Sequence, residues 1–356
     1  MSSVLKQILK NDERSIVFDC CISWISMDMM NVDPKKKELV LPRYLKAGFN
    51  FVSLTVAGDW GCGVSPTISW LASERRYLAE KHPDTCVLIS SLSDIFAAKR
   101  EGKLAVTFHF QGSRPFQVSP GVGEDPGDIN LVQLYFDLGV RQCLLSLNLR
   151  NHAADGCKEK SDAGLSNWGV RLVKEMNRVG MIVDCTHTGY RSTMDAMSVS
   201  TKPVLFSHSN AKGVFNHPRN ITDDQIKACA KTGGVICVCG WGPIVNAENN
   251  PTAEAVVKHI DYIANLGGPE HVGIGLDYTY DPTLTTKRVK QYAYLYAPYG
   301  TLEDYNYHHD VMRSMQPEAI SEIAETLLHR GYGEDDIRGI LGGNCIRVMQ
   351  ANWEAG

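Results

Sequence analysis

No run of about 18 consecutive apolar residues occurs in the chain, which excludes a membrane-spanning helix on length alone. Basic charge is not in excess either. Lys and Arg number 36 against 40 Asp and Glu, a formal net charge of −4, so neither nucleic acid nor a membrane surface is an expected partner. The run Lys35–Lys37 is expected in a solvated loop. No Gly-x-Gly-x-x-Gly turn follows an early apolar run, which weakens the case for an open dinucleotide-binding sheet. No low-complexity linker splits the sequence, and residues 1–356 are expected to form one domain. The opening stretch to Arg14 is polar (Lys6, Lys10, Asp12, Glu13, Arg14) without a secretory pattern, and Ala351–Gly356 lacks the hydrophobic tail of a lipid-anchor signal. A cytoplasmic protein is therefore expected. Its eleven cysteines, odd in number and scattered through apolar segments (Cys143, Cys185, Cys237, Cys239), are expected to be reduced and mostly buried.

What the chain does have is alternation. With 44% hydrophobic residues it can bury a large core. Eight short apolar runs, too short for helices, are expected as strands: 16–18, 49–56, 104–110, 142–147, 181–185, 203–207, 234–238 and 271–275. Amphipathic segments lie between them. In 165–179, Trp168, Val170, Leu172, Val173 and Met176 form a stripe of about 3.6-residue period. Thr222 precedes Asp223 and Asp224 at the start of a helix expected over 222–232, where acidic residues suit the positive helix end. In 315–330, Ile320, Ile323, Ala324, Leu327 and Leu328 are expected to cover the sheet. Eight strands alternating with helices predict an α/β fold, a (β/α)8 TIM-like barrel.

In such a barrel the reactive groups emerge where strands end. Asp19, Cys20, Cys21, Ile22 and Ser23 follow the first run. Gln111 follows the third, with His109 two residues earlier on the same face. His187 follows the fifth, His208 the sixth with His217 and Arg219 shortly beyond, and Asp277 the eighth. Two imidazoles at successive strand ends suit a borderline-soft divalent ion, and a carboxylate at the last can take a proton from water. A tyrosine-rich stretch follows (Tyr278, Tyr280, Tyr292, Tyr294, Tyr296, Tyr299, Tyr305, Tyr307) and is expected to form either a wall over the pocket or a subunit interface.

Residues 164–234, with the pieces GMIVDCTH (180–187), FSHS (206–209), HPRN (217–220), HVGIGLD (271–277) and GGNCIRV (342–348), resemble the membrane (renal) dipeptidase family, peptidase M19 of the amidohydrolase superfamily. The resemblance covers most of the chain from about residue 140, and the first 110 residues match only loosely. It implies a metal-dependent hydrolase barrel, a homodimer, and a zinc pair of which His187 and His208 hold one ion. It further implies that Arg219 binds the substrate's carboxylate through its planar fork, that Asp277 stands near the attacking water, and that His217 is structural.

The same resemblance locates a gap. The family's His-x-Asp after the first strand falls on Cys21 and Ser23, its bridging glutamate on Gln111, and a further histidine on Leu147. Two divalent ions close together repel unless an anion lies between them, and a glutamine supplies none. Adjacent Cys20 and Cys21 are not expected both to point inward, since side chains alternate along a strand. Three possibilities follow. One is a dipeptidase-like enzyme acting on a small carboxylate-bearing amide, with at most one zinc or other divalent ion at His187 and His208, Gln111 or Asp277 as a further oxygen ligand, and Gln111 also a candidate at the substrate. The second is a metal-independent isomerase, lyase or decarboxylase that uses His187, His208, Asp277 and Cys21. The third is an inactive ligand-binding relative. His109, Cys21 and Asp19 are further site candidates.

Overall fold

The computed structural model describes residues 2–9, 12–24, 33–60, 63–118, 125–295 and 300–353. Each expected run becomes a short parallel strand: β1 (Phe18–Ile22), β2 (Phe51–Gly58), β4 (Leu104–Gln111), β5 (Val140–Leu144), β6 (Ile182–Asp184), β7 (Leu205–Phe206), β8 (Val235–Val238) and β9 (Val272–Ile274). A further strand, β3 (Cys86–Leu88), was not expected. It pairs with Leu104–Val106 of β4, and β5 takes over beside β4 from Phe108 onward. The ring order is β1-β2-β4-β5-β6-β7-β8-β9. It nearly closes: Ile22 and Tyr278 form a parallel bridge and the Ser23 amide donates to the Tyr278 carbonyl at 3.2 Å.

Asp19 latches this seam. Its carboxylate accepts from the Leu276 amide (2.9 Å), the Cys21 amide (3.1 Å) and the Tyr44 hydroxyl (2.8 Å). Burial outweighs those donors and pushes the carboxyl up to about 7.

β1 starts two residues later than expected and runs to Ile22. The Val17 amide donates to the Asn50 side chain (3.0 Å) instead of to a ladder partner. Asp19, Cys20 and Cys21 therefore lie within the strand. The pairing of β1 with β2 shifts register between Asp19 and Ile22, a bulge. Such an extra residue resets the alternation of side chains. As a result both neighbouring thiols point inward, contrary to expectation: Cys20 Sγ reaches Gln142 Oε1 of β5 (3.8 Å), and Cys21 Sγ reaches His109 and Gln111 of β4. Since β1 adjoins neither strand, both contacts cross the barrel interior.

Below this level the interior is apolar. Phe18 stacks on Phe51 at 4.2 Å between centroids, among Cys20, Ala105, Ile182, Leu205 and Cys237. The C-terminal helix Asn344–Trp353 plugs the floor with Cys345, Val348 and Met349. Strand packing is tight at Gly275, where an added Cβ would sit 1.7 Å from the Ser207 carbonyl oxygen.

The helices form the outer layer with their expected stripes. Asn167–Val179 is capped by the Ser166 side chain, which accepts from the Gly169 amide, and buries Trp168, Leu172, Val173 and Met176. Asp223–Lys231 carries a capping box between Thr222 and Gln225. Ile320–His329 buries Ile320, Ile323, Ala324 and Leu327, whereas Leu328 is 40% exposed and does not cover the sheet. Lys37 also departs from expectation. It ends the short helix Pro34–Lys37 in a buried setting, with its ammonium 3.0 Å from Glu74 and 4.6–4.8 Å from the Tyr77 and Trp24 rings. An aromatic box and a carboxylate make that burial tolerable. The ten described cysteines are free thiols, and no helix among the described residues is long and apolar enough to cross a membrane.

Candidate functional site

The expected residues converge where the strands end. His187 lies just past β6 and Asp277 just past β9, and both sit in left-handed backbone (φ 62° and 51°). Asn148, after β5, does the same at φ 65°. Outside glycine and asparagine this conformation costs on the order of 1 kcal/mol or more, and it persists where surrounding contacts over-determine it.

Asn148 Oδ1 lies 2.7 Å from His187 Nδ1. An amide oxygen only accepts, so His187 Nδ1 carries the hydrogen and Nε2 presents a lone pair when the ring is neutral. That Nε2 lies 3.0 Å from His208 Nε2, while His208 Nδ1 is 2.8 Å from the Ser207 hydroxyl. Burial first, then the field of Arg219, holds both imidazoles well below their usual range, so both are neutral at pH 7.

Asp277 completes the group. One ligand atom each from Cys21, His208 and Asp277 lie within 4.8 Å of one another. Cys21 Sγ is 3.9 Å from Asp277 Oδ1. Burial raises the Asp277 carboxyl to about 6, against the opposing pull of Arg219.

Beneath them, Gln111 Nε2 donates to Cys21 Sγ (3.3 Å) and to Thr55 Oγ1 (3.1 Å). His109 is held at both ring nitrogens, by Ser53 Oγ at Nδ1 (2.8 Å) and Thr55 Oγ1 at Nε2 (2.7 Å), and Cys21 Sγ is 3.6 Å from Nε2. Burial lowers its pKa to about 3. It is a neutral buried support under the site. Asp19 belongs to the seam and contributes no ligand atom to the cluster.

Arg219 is 3% exposed. Its Nη2 donates to the His208 carbonyl (2.9 Å), and Nε and Nη1 have no hydrogen-bond partner among the described residues. His217 fixes the turn: its Nδ1 accepts from the Arg219 amide (3.0 Å) and its Nε2 donates to the Tyr305 carbonyl (2.9 Å).

Two cavities meet at His187. The larger, about 690 Å³, is lined by Gln111, Asp277, Asn148 and His187, with Tyr292, Tyr294, Leu295, Trp241 and Tyr307 as an apolar wall. Part of the tyrosine-rich stretch thus forms a pocket wall, while Tyr296 and Tyr299 lie outside the described residues. The smaller, about 210 Å³, is lined by His187, Arg219, Lys212 and Cys157 among others. Arg219 and Asp277 thus face different chambers on either side of one imidazole.

Sequence reasoning missed three wall groups. Asn148 stands directly after an expected strand and was findable on that rule. Lys158 Nζ donates to the Tyr307 hydroxyl (3.0 Å) and lies 4.5 Å from the Tyr305 and Tyr307 rings, partners about 150 residues away that no local pattern reveals. Asp59 accepts from the Leu147 and Arg114 amides and from Asn151, and burial raises its carboxyl to about 6. Its carboxylate occupies the space a Cβ at Gly112 would need, at 2.3 Å, and Gly112 has φ 120°.

A near-closed parallel barrel with imidazoles and a carboxylate at its mouth has the architecture of the amidohydrolases. The comparisons are narrower. Residues 71–299 match the sequence model of membrane dipeptidase (Peptidase family M19), a match that begins well upstream of the resemblance seen from residue 140. Dipeptidase verJ of Clonostachys rogersoniana is 32% identical over 276 residues, covering 77% of this chain and 62% of that protein. An amidohydrolase of known structure from Pseudomonas aeruginosa superimposes with a TM-score of 0.78 at 26% identity, covering 96% of this chain and 98% of that one. The probable dipeptidase PvdM from Pseudomonas aeruginosa gives 0.72 at 17% identity, with 99% of each chain covered, a likeness of fold. The chain belongs to the membrane dipeptidase family. It spans between 49% and 62% of the lengths of three curated relatives it matches.

Proposed function

We propose that the chain is a dipeptidase-like hydrolase of a small amide bearing a carboxylate, working with one divalent cation, zinc or a similar ion. The observation that carries this is the convergence of Cys21, His208 and Asp277 within 4.8 Å, with His187 Nε2 3.0 Å from His208 Nε2. A pair of ions does not fit the donor set. The side chain in the bridging place is Gln111, a neutral amide already bonded to Cys21 and Thr55. One ion does fit, held by His208, Asp277 and Cys21 with His187 alongside. When bound, such an ion polarises a carbonyl and acidifies water.

The protein's own groups do the rest. Asn148 fixes the His187 tautomer, so its Nε2 lone pair faces the site. Asp277, partly open to the larger chamber, accepts the proton that a water gives up on attacking the amide, and returns it to the leaving nitrogen. Arg219, with two buried N–H groups that have no partner among the described residues, takes a carboxylate in the smaller chamber. Substrate then straddles His187, and its remaining part lies against Trp241, Tyr292 and Tyr307.

Metal analysis of purified protein together with a dipeptide panel tests this. About one divalent ion per chain and chelator-sensitive hydrolysis are expected. Two ions per chain would overturn the single-ion site. Chelator-resistant turnover of small acids would favour the metal-independent alternative, and ligand binding with no turnover at all would favour an inactive relative.

A further inference from the structure

The thiol of Cys21 and the amide of Gln111 are two departures from the family pattern, and the structure brings them into contact. Gln111 Nε2 donates to Cys21 Sγ at 3.3 Å, and Thr55 Oγ1, accepting from the same nitrogen at 3.1 Å, holds that orientation. Burial, and then the neighbouring Asp277, hold the free thiol protonated, its pKa well above the usual range, so the sulfur becomes a thiolate only when a cation displaces its proton to solvent. The Gln111 N–H then donates to that sulfur, where a bridging carboxylate would repel it. The bulge in β1 turns Cys21 into the barrel, where Sγ stands 3.9 Å from Asp277 Oδ1 and shares a cluster with His208.

Ligand atoms around a tetrahedral ion with bonds of about 2.0–2.3 Å lie roughly 3.3–3.7 Å apart. Cys21 Sγ and Asp277 Oδ1, 3.9 Å apart, lie a few tenths of an ångström outside that range, and His208 shares their cluster.

We infer that Cys21 is a thiolate ligand of a single-metal centre shared with His208 and Asp277, with His187 beside His208, the fourth position left for water or substrate, and Gln111 as the hydrogen-bond donor to the sulfur. The centre is selective for borderline and soft divalent ions, such as zinc, cobalt or cadmium, over magnesium and calcium. This inference rests on the one-cation site proposed above.

The test is spectroscopic. The full chain, stripped with a chelator, is titrated with cobalt(II). One equivalent is expected to give a sulfur-to-cobalt charge-transfer band in the near ultraviolet beside the visible ligand-field bands. Cys21→Ser is expected to lose the charge-transfer band. Cys20→Ser, whose thiol lies at the floor, is expected to keep it. Gln111→Leu is expected to weaken cobalt binding by about 10–100-fold, the usual cost of losing a partner of a metal ligand. If Cys21→Ser fails to fold, Cys21→His serves: it is expected to bind one cobalt without the sulfur band. Absence of the band in the unaltered chain, or its persistence in either Cys21 variant, would overturn the assignment. Hydrolysis measured on the same cobalt-loaded chain separates the two claims. A sulfur band with no turnover of any dipeptide sinks the hydrolase reading and leaves the thiolate centre standing, whereas turnover without the band does the reverse.

Discussion

On one side of the barrel mouth, the ends of β6, β7 and β9 carry His187, His208 and Asp277, two of them in left-handed backbone and all three able to hold a proton or an ion. On the other side, β1 and β4 carry Cys21 and Gln111, which bond to one another and, through Thr55, to a buried neutral His109. Strain is concentrated in the first half. Hydrogen bonds satisfied within the protein dominate the second. Strained backbone survives where a tertiary framework holds it, so the first half is where the fold commits free energy to position reactive groups. The second half supports and modifies, and its chemistry depends on a single sulfur.

That division is breakable. The largest effect is expected from His208→Ala, which removes a side chain common to every arrangement the site can make. A fall in kcat/KM on the order of 10²–10³-fold is expected, the scale of losing one stabilising group in an active site. If Gln111→Leu produced as large a fall in the metal-saturated protein, the two halves would be equivalent and the contrast would fail. Next comes Arg219→Met. A charge-assisted bond to a carboxylate contributes about 1.5–3 kcal/mol, or roughly 10–150-fold, and the loss is expected in KM more than in kcat. Steady-state kinetics with a dipeptide and with its C-terminal amide separate the outcomes. The amide should be insensitive to the substitution, and equal sensitivity would remove Arg219 from carboxylate binding.

The barrel was legible in the sequence because eight short β-branched runs each had room for one strand and the helical stripes between them kept a 3.6-residue period. His187, His208 and Asp277 were legible because strand ends are where such a barrel places chemistry. Three features were not. The bulge at Asp19–Ile22 depends on how β1 pairs with β2, and it alone allows Cys20 and Cys21 both to face inward. β3 is three residues long and only partly buried, too little pattern to read. The separation of Arg219 and Asp277 into two chambers depends on where loops fold back over His187, which local spacing does not encode.

Lys158 sharpens the contrast, since it stands in the loop after β5 between the two halves of the rim. It is 4% exposed, and burial lowers its ammonium to about 7, from an unfolded value near 10.4. The sign follows from proton counting. Between about pH 7 and 10 the unfolded chain keeps a proton that the native lysine has released, so this residue makes stability rise with pH in that window. Below pH 7 both states are protonated and the cost of burying the charge is fully present. Lys158→Met removes that cost. The variant is expected to gain on the parent most near pH 7, with the difference in unfolding free energy shrinking by at most about 1.4 kcal/mol per pH unit toward pH 10. Denaturant unfolding of both proteins at three pH values in this range measures it, and taking the difference cancels the buried thiols, which titrate in both. A constant difference would mean that Lys158 stays charged at neutral pH. Its ammonium would then be a fixed positive charge beside His187, and the mouth of the barrel would have to be treated as three differently charged sectors instead of two.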